Sequence, residues 1–122
     1  MKALIDHYRS ELQAGRLAYQ HCLDCAGNQA FIRRFCVECG SRHVTWRTAG
    51  GIGTVASVSV LHRAPTPEFR ERVPYAILLI DLDEGMRVMT HGHVDLAIGD
   101  KVRLGVHPLG QTPLLWASPS RG

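Results

Sequence analysis

Four cysteines carry the strongest chemical signal in this chain: Cys22-Leu-Asp-Cys25 and Cys36-Val-Glu-Cys39, two C-x-x-C pairs separated by ten residues. A C-x-x-C pair bends the backbone so that both thiolates face one point. Two such knuckles brought together place four sulfurs at the corners of a tetrahedron, the closed coordination of a structural Zn²⁺. With every position filled by sulfur there is no place for water or substrate, so one zinc per chain would hold structure rather than catalyse. The plainer alternatives are two disulfides or four unconnected thiols. The paired spacing and the lack of a secretory signal in the sequence weigh against both. A redox role lacks the βαβ setting of a thioredoxin-like dithiol. Gly40 directly follows the second pair, as expected of a tight knuckle that needs positive φ. After the first pair Ala26 stands in that place and Gly27 comes one residue later, which predicts a slightly irregular first knuckle.

No other grouping reads as a reaction centre. Catalysis would need a nucleophile with its base, a perturbed acid pair or an open metal, and none can be picked out. His91 and His93, at i and i+2, could share a strand face, but two imidazoles without a third ligand more often sit on a wet face. Asp81, Asp83 and Glu84 are explained by a turn better than by a metal. Arg33 and Arg34, between the cysteine pairs, are adjacent cations on a metal-stapled scaffold; as a bland alternative they are solvated surface charges. Fourteen Lys and Arg against eleven Asp and Glu give a net charge of +3 in 122 residues, well short of the clustered charge of a dedicated nucleic-acid arm. No apolar run reaches the length of a membrane span, so a soluble, cytoplasmic chain is expected.

The elements that must position these residues follow from periodicity. Leu4, Ile5, Tyr8 and Leu12 draw one stripe on a helix over 1–14, and Gly15 stands where a C-cap glycine belongs. A helix this short is marginal alone and must rest on its own chain or on a partner. Leu17–Gln20 reads as a strand into the first knuckle. In the link over 30–35, Phe31 and Phe35 are expected to pack beneath the knuckles. A ribbon of this size cannot fold without its metal.

Three glycines within 48–53 mark a hinge, after which the period becomes two. Ala56, Val58 and Val60 alternate with Ser57 and Ser59, and His62 falls on the parity of the buried side. Residues 63–74, with three prolines, form a connection long enough to be functional. Tyr75–Leu82 reads as a central strand covered on both sides. Asp83-Glu84-Gly85 turns into Met86–His91. Val102, Leu104 and Val106 face one way while Lys101, Arg103 and His107 face the other. Leu114–Ala117 is the last strand, and 118–122 is expected to fray. The expected fold is mainly β: an N-terminal helix over 1–15, a zinc ribbon over 16–47, and a small antiparallel OB-type barrel over 48–122.

The succession of Gly15-x-Leu17, the two cysteine pairs, Gly40-Ser41, Trp46, Gly51-x-Gly53-Thr54-Val55, His62-Arg63, Pro74-Tyr75 and Asp81-Leu-Asp-Glu-Gly85 resembles the domain of unknown function 35 family, zinc ribbons joined to OB folds and associated with acyl-CoA enzymes. The likeness covers nearly the whole chain. It departs from the pattern at Ile32, where the family often has proline, and at the displaced Gly27. The resemblance implies a non-catalytic accessory subunit in lipid metabolism that serves a thiolase, a MaoC-like hydratase or an aldolase and contacts acyl-CoA. Arg33, Arg34, Arg63 and Lys101 are candidates for CoA phosphates. Phe69, Pro74 and Tyr75 are candidates for apolar walls, with His62 in the same contact region. The competing function is single-stranded nucleic-acid binding, which this architecture also serves. It wants aromatics in a basic groove, whereas 75–91 offers Tyr75 alone among acids.

Overall fold

The computed structural model describes residues 2–63, 67, 70, 73–109 and 112–120. Helix α1 runs Lys2–Gln13. It ends in a Schellman motif: Gly15, at φ 86°, donates to the Leu12 carbonyl at 2.9 Å, and Arg16 donates to the Glu11 carbonyl at 2.8 Å. Its stripe rests on its own chain. Leu12 is buried and Tyr8 packs against the same core, while His7 lays its ring 4.6 Å from that of Trp46.

Strands β1 (Ala18–Cys22), β2 (Asn28–Gln29) and β3 (Val44–Thr48) form a sheet in the order β2-β1-β3. β3 escapes the sequence reading because Val44–Thr48 shows no clean alternation: three residues are half-buried and two exposed. It is fixed instead by a full register with β1, from Ala18 opposite Thr48 to Cys22 opposite Val44.

Strands β4 (Ile52–Leu61), β5 (Tyr75–Leu82), β6 (Arg87–Gly92), β7 (Lys101–Leu109) and β8 (Thr112–Pro119) close into a barrel in the order β4-β5-β6-β8-β7. An odd number of strands cannot alternate direction all the way around a ring, so at least one pair must run parallel. That pair is β6 with β8, His91 opposite Trp116 and Gly92 opposite Ala117. Two strands approach closely here. A Cβ on Gly92 would lie 2.5 Å from Leu78 Cδ1 and 2.9 Å from the Ala117 carbonyl oxygen.

The core is continuous from ribbon to barrel: Leu12, Leu17 and Tyr19 belong to the same cluster as Val55, Leu78, Ile80 and Val102. Each fully buried aliphatic chain contributes roughly 1.5–3 kcal/mol. Polar ties run alongside. Asn28 Nδ2 donates to the Glu84 carbonyl at 3.0 Å, and the Gly50 amide donates to Glu84 Oε2 at 2.8 Å. On β5, Tyr75, Ala76, Leu78, Ile80 and Leu82 are buried, while Ile77 and Leu79 are half-covered on the other side.

Two expectations need correction. In β4 a register shift between Val55 and Ser57 interrupts the alternation. Val55 is the buried residue, Ala56 and Val58 are half-buried, and Val60 and His62 are exposed. A bulge adds one residue to one strand and so reverses parity beyond it, which no period-two pattern foresees. Ser118 and Pro119 do not fray: they pair with Arg103 and Val102, and the Ser120 amide donates to the Lys101 carbonyl at 3.0 Å.

Candidate metal centre and the arginine link

The two knuckles converge. Cys22 Sγ lies 3.6 Å from Cys39 Sγ, Cys25 Sγ lies 3.6 Å from Cys36 Sγ, and all four sulfurs fall within 4.8 Å of one another. Metal–sulfur bonds of about 2.3 Å in a tetrahedron require sulfur–sulfur edges of about 3.8 Å. Disulfides would require about 2.05 Å. All four cysteines are free, so the donor set, its spacing and its closure fit a tetrahedral thiolate-bound ion. Among the described residues it is the only group of three or more His, Cys, Asp or Glu placed to hold one.

Backbone amides donate to two of the sulfurs, and the clustered thiols are driven apart, Cys22 downward and Cys25 and Cys39 upward. The Cys25 amide donates to Cys22 Sγ at 3.4 Å and is the main reason the Cys22 thiol is pulled down to about 6. The Gly27 amide donates to Cys25 Sγ at 3.4 Å. The two knuckle turns prove alike. The Gly40 amide donates to the Cys36 carbonyl at 2.9 Å with φ 78°, and the Ala26 amide donates to the Cys22 carbonyl at 3.0 Å with φ 64°. Ala26 therefore adopts the left-handed conformation that Gly40 adopts freely, and the expected irregularity is one of residue type, not of backbone shape.

The knuckles are also fastened to each other. Ser41 Oγ donates to Asp24 Oδ2, and His43 Nδ1 lies 3.0 Å from the same oxygen. The Ser41 hydroxyl and then His43 hold the Asp24 carboxyl below its ordinary range. Ser, His and Asp thus meet, but the hydroxyl is bound to the carboxylate and not to the imidazole, so nothing activates it as a nucleophile.

The link over 30–36 has almost no regular structure, and two glutamines hold it. Gln20 Nε2 donates to the Arg33 carbonyl at 2.7 Å, and Gln20 Oε1 accepts from the Arg33 amide at 2.9 Å. Gln29 Nε2 donates to Gln20 Oε1 at 2.8 Å and to the Phe35 carbonyl at 3.1 Å, while Gln29 Oε1 accepts from the Val37 amide at 2.9 Å. Both glutamines are buried. They occupy the underside of the link where Phe31 and Phe35 were expected. Those two phenyl rings turn outward, 75% and 47% exposed. A buried polar residue opposite another on paired strands, Gln20 facing Gln29, was the signal available, but it is visible only once register is known.

The remaining candidates fall in separate places. Arg33 and Arg34 are exposed on the link. His62 and Arg63 are exposed beyond the end of β4, and Pro74 is exposed at the start of β5. Tyr75 is buried, its ring 5.6 Å from that of His91. Phe69 lies outside the described residues. Lys101 pairs with Thr54 in register and approaches Asp83 at 3.6 Å. That puts it about 26 Å along β4 from His62 at the rise of an extended strand. His93 and His107 both lie against Trp116, at 6.4 and 5.5 Å between ring centroids.

A four-cysteine ribbon on one small sheet, merged through a common core with a closed five-stranded OB barrel, defines the class of this protein. A family model described as the C-terminal OB-fold domain of ChsH2 matches residues 46–107. A DUF35 domain-containing scaffold protein of Methanothermobacter thermautotrophicus is 33% identical over 111 residues, 85% of this chain and 81% of that protein. The chain belongs to the domain of unknown function 35 family, DUF35. A probable enoyl-CoA hydratase alpha subunit of Thermomonospora curvata is 37% identical over 93 residues, 75% of this chain. The match spans only about a quarter of that subunit, 27%. Among solved structures, the Ltp2-ChsH2(DUF35) aldolase superposes with a TM-score of 0.81 at 28% identity, covering 93% of this chain and 92% of that one. A DUF35 protein of unknown function from Sulfolobus solfataricus superposes at 0.66 with 11% identity, covering 93% and 84%, a likeness of fold.

Proposed function

We propose that this chain is a non-catalytic accessory subunit that binds an acyl-CoA enzyme (a thiolase, a MaoC-like hydratase or an aldolase) and the acyl-CoA it handles. The observation that carries the reading is the Arg33-Arg34 pair on a link pinned from below by Gln20 and Gln29, a preorganised cationic element whose ordering cost is met before binding. The relatives support it: one is named a scaffold protein, one a hydratase subunit and one an aldolase assembly. One Zn²⁺ on Cys22, Cys25, Cys36 and Cys39 supplies crosslinking between the knuckles and no Lewis-acid chemistry, because all four donors are protein sulfurs. The chain's own residues bind and orient: the arginines offer forked donors to phosphate or carboxylate. His62 and Arg63 beyond the end of β4, Pro74 and Tyr75 at the start of β5, Lys101 at the opposite end of β4, and Phe69 by its sequence position complete the proposed contact set.

Purification from the native host with identification of what co-purifies tests the reading. An acyl-CoA enzyme held by the parent chain, and released by the double substitution Arg33→Ala and Arg34→Ala with a loss of about 1–3 kcal/mol, is the expected result. Pure protein should show no turnover of acyl-CoA substrates. If the double variant keeps its protein partner but loses single-stranded nucleic acid with a steep salt dependence, the accessory reading fails and nucleic-acid binding replaces it.

A further inference from the structure

An apolar groove of 380 Å³ lies between α1, the link and the barrel. Ile5 and Tyr8 line it from α1, Phe31 from the link, Val88 and Met89 from β6, and Leu115 from β8. Its volume is that of a small-molecule site. The residues that leave it open are conspicuous: Phe31 is 75% exposed and Met89 60%, large apolar side chains that solvent does not favour. Arg33 is the one charged residue in its walls. Among the described residues neither Arg33 nor Arg34 meets a carboxylate within ion-pair distance. The groove therefore pairs an apolar trough with a guanidinium that, among the described residues, meets no carboxylate and donates to the Ile32 carbonyl at 3.1 Å, at a backbone position that Gln20 holds by two hydrogen bonds.

We propose that this groove takes the aliphatic tail of an anionic amphiphile, with the Arg33 guanidinium on its anionic head. Naming a CoA ester as that amphiphile rests on the function proposed above; the groove and its charge do not. A tail laid along Phe31, Met89 and Leu115 removes from water the apolar surface now exposed, and the guanidinium gives the head a planar fork of donors. None of the residues that line it falls within 62–75.

Calorimetric titration of the zinc-loaded full chain tests it, with lauroyl-CoA, laurate and CoA as probes. Lauroyl-CoA should bind at least about tenfold tighter than CoA because only the ester fills the trough. Met89→Trp, which fills the groove from an exposed position, should erase that advantage. Arg33→Gln should weaken both laurate and lauroyl-CoA by about tenfold, the scale of one charge-assisted contact. Unchanged zinc content and melting temperature in both variants would show that they fold. Lauroyl-CoA binding no tighter than CoA when laurate does not bind either, or a tail affinity that survives Met89→Trp, overturns the proposal. So does failure of both laurate and lauroyl-CoA to bind below about 1 mM. Binding of laurate without lauroyl-CoA sustains the groove and removes CoA esters from the function proposed above. Loss of the protein partner in native purification, with tail binding intact, removes the accessory role alone.

Discussion

The side chain of Gln20 makes two hydrogen bonds to the backbone of Arg33, donating to its carbonyl at 2.7 Å and accepting from its amide at 2.9 Å. A primary amide has the same donor and acceptor as a peptide unit, so Gln20 serves the link as a neighbouring strand would. The link needs it, since 30–36 has no ladder of its own and the Arg33 amide and carbonyl meet a buried side chain.

Substituting Gln20→Leu should leave the Arg33 amide and carbonyl and the Gln29 amide short of partners. A stability loss of about 1–3 kcal/mol is expected, the scale of a buried unmet group. Hydrogen exchange should show the Arg33 and Val37 amides losing protection while those of β5 change only in proportion to global stability. Equal loss across both regions would mean that Gln20 supports the core and not the link.

Protein purified without added metal should carry one equivalent of zinc under reducing conditions, and strong chelation should melt the ribbon. Elemental analysis and circular dichroism measure both. Because Leu17 and Tyr19 belong to the barrel's core cluster, metal removal should also lower the barrel's own melting temperature. Zinc content below about half an equivalent would count against the site.

Ala26→Gly should raise stability by about 1 kcal/mol, relieving the left-handed cost that an L-residue bears at φ 64°. Gly40→Ala should lower it by a similar amount, for the mirror reason. Thermal melts at fixed zinc concentration compare the two, and opposite signs are the expected outcome.

Gly92→Ala should cost about 1–3 kcal/mol. The added methyl meets the Ala117 carbonyl, which is backbone and moves only with β8. Denaturant unfolding reads the loss.

Asp81 and Arg87, partners in register, form a two-pronged ion pair at 2.7 and 3.1 Å. The guanidinium hydrogen bonds, and then its charge, hold the Asp81 carboxyl below its ordinary value. A depressed folded value gives stability that is present above the ordinary carboxylate pKa and lost as pH falls through the folded one. Asp81→Asn should therefore be slightly less stable than the parent at neutral pH, and the gap should close as pH falls below the ordinary carboxylate range. Salt should shrink it, since both groups are exposed.

The convergence of the four cysteines was legible because C-x-x-C spacing dictates geometry locally, with each pair setting its own turn. The Asp83-Glu84-Gly85 turn and the alternation of Val102, Leu104 and Val106 were legible for the same reason: the information lies within a few residues. What failed to show was settled at long range. The pairing of Gln20 with Gln29 depends on the β1–β2 register, and the outward Phe31 and Phe35 follow from that pairing. β3 is a strand because β1 holds it, not because Val44–Thr48 alternates. The bulge after Val55 shifts parity at a point where the residues themselves give no mark. The groove draws its walls from α1, the link, β6 and β8, and no stretch of sequence contains it.

The parallel pair that closes the ring also fixes an order of events. β8 is the last of the barrel strands in the chain, yet it fills the gap between β6 and β7. While the chain is being synthesised, β4, β5 and β6 can assemble as a meander with β6 as an open edge, and that edge stays unpaired until 112–119 have left the ribosome. Open strand edges recruit other chains. A translational pause before those residues should therefore direct nascent protein toward aggregates, and a partner that reaches the meander early would act as its chaperone.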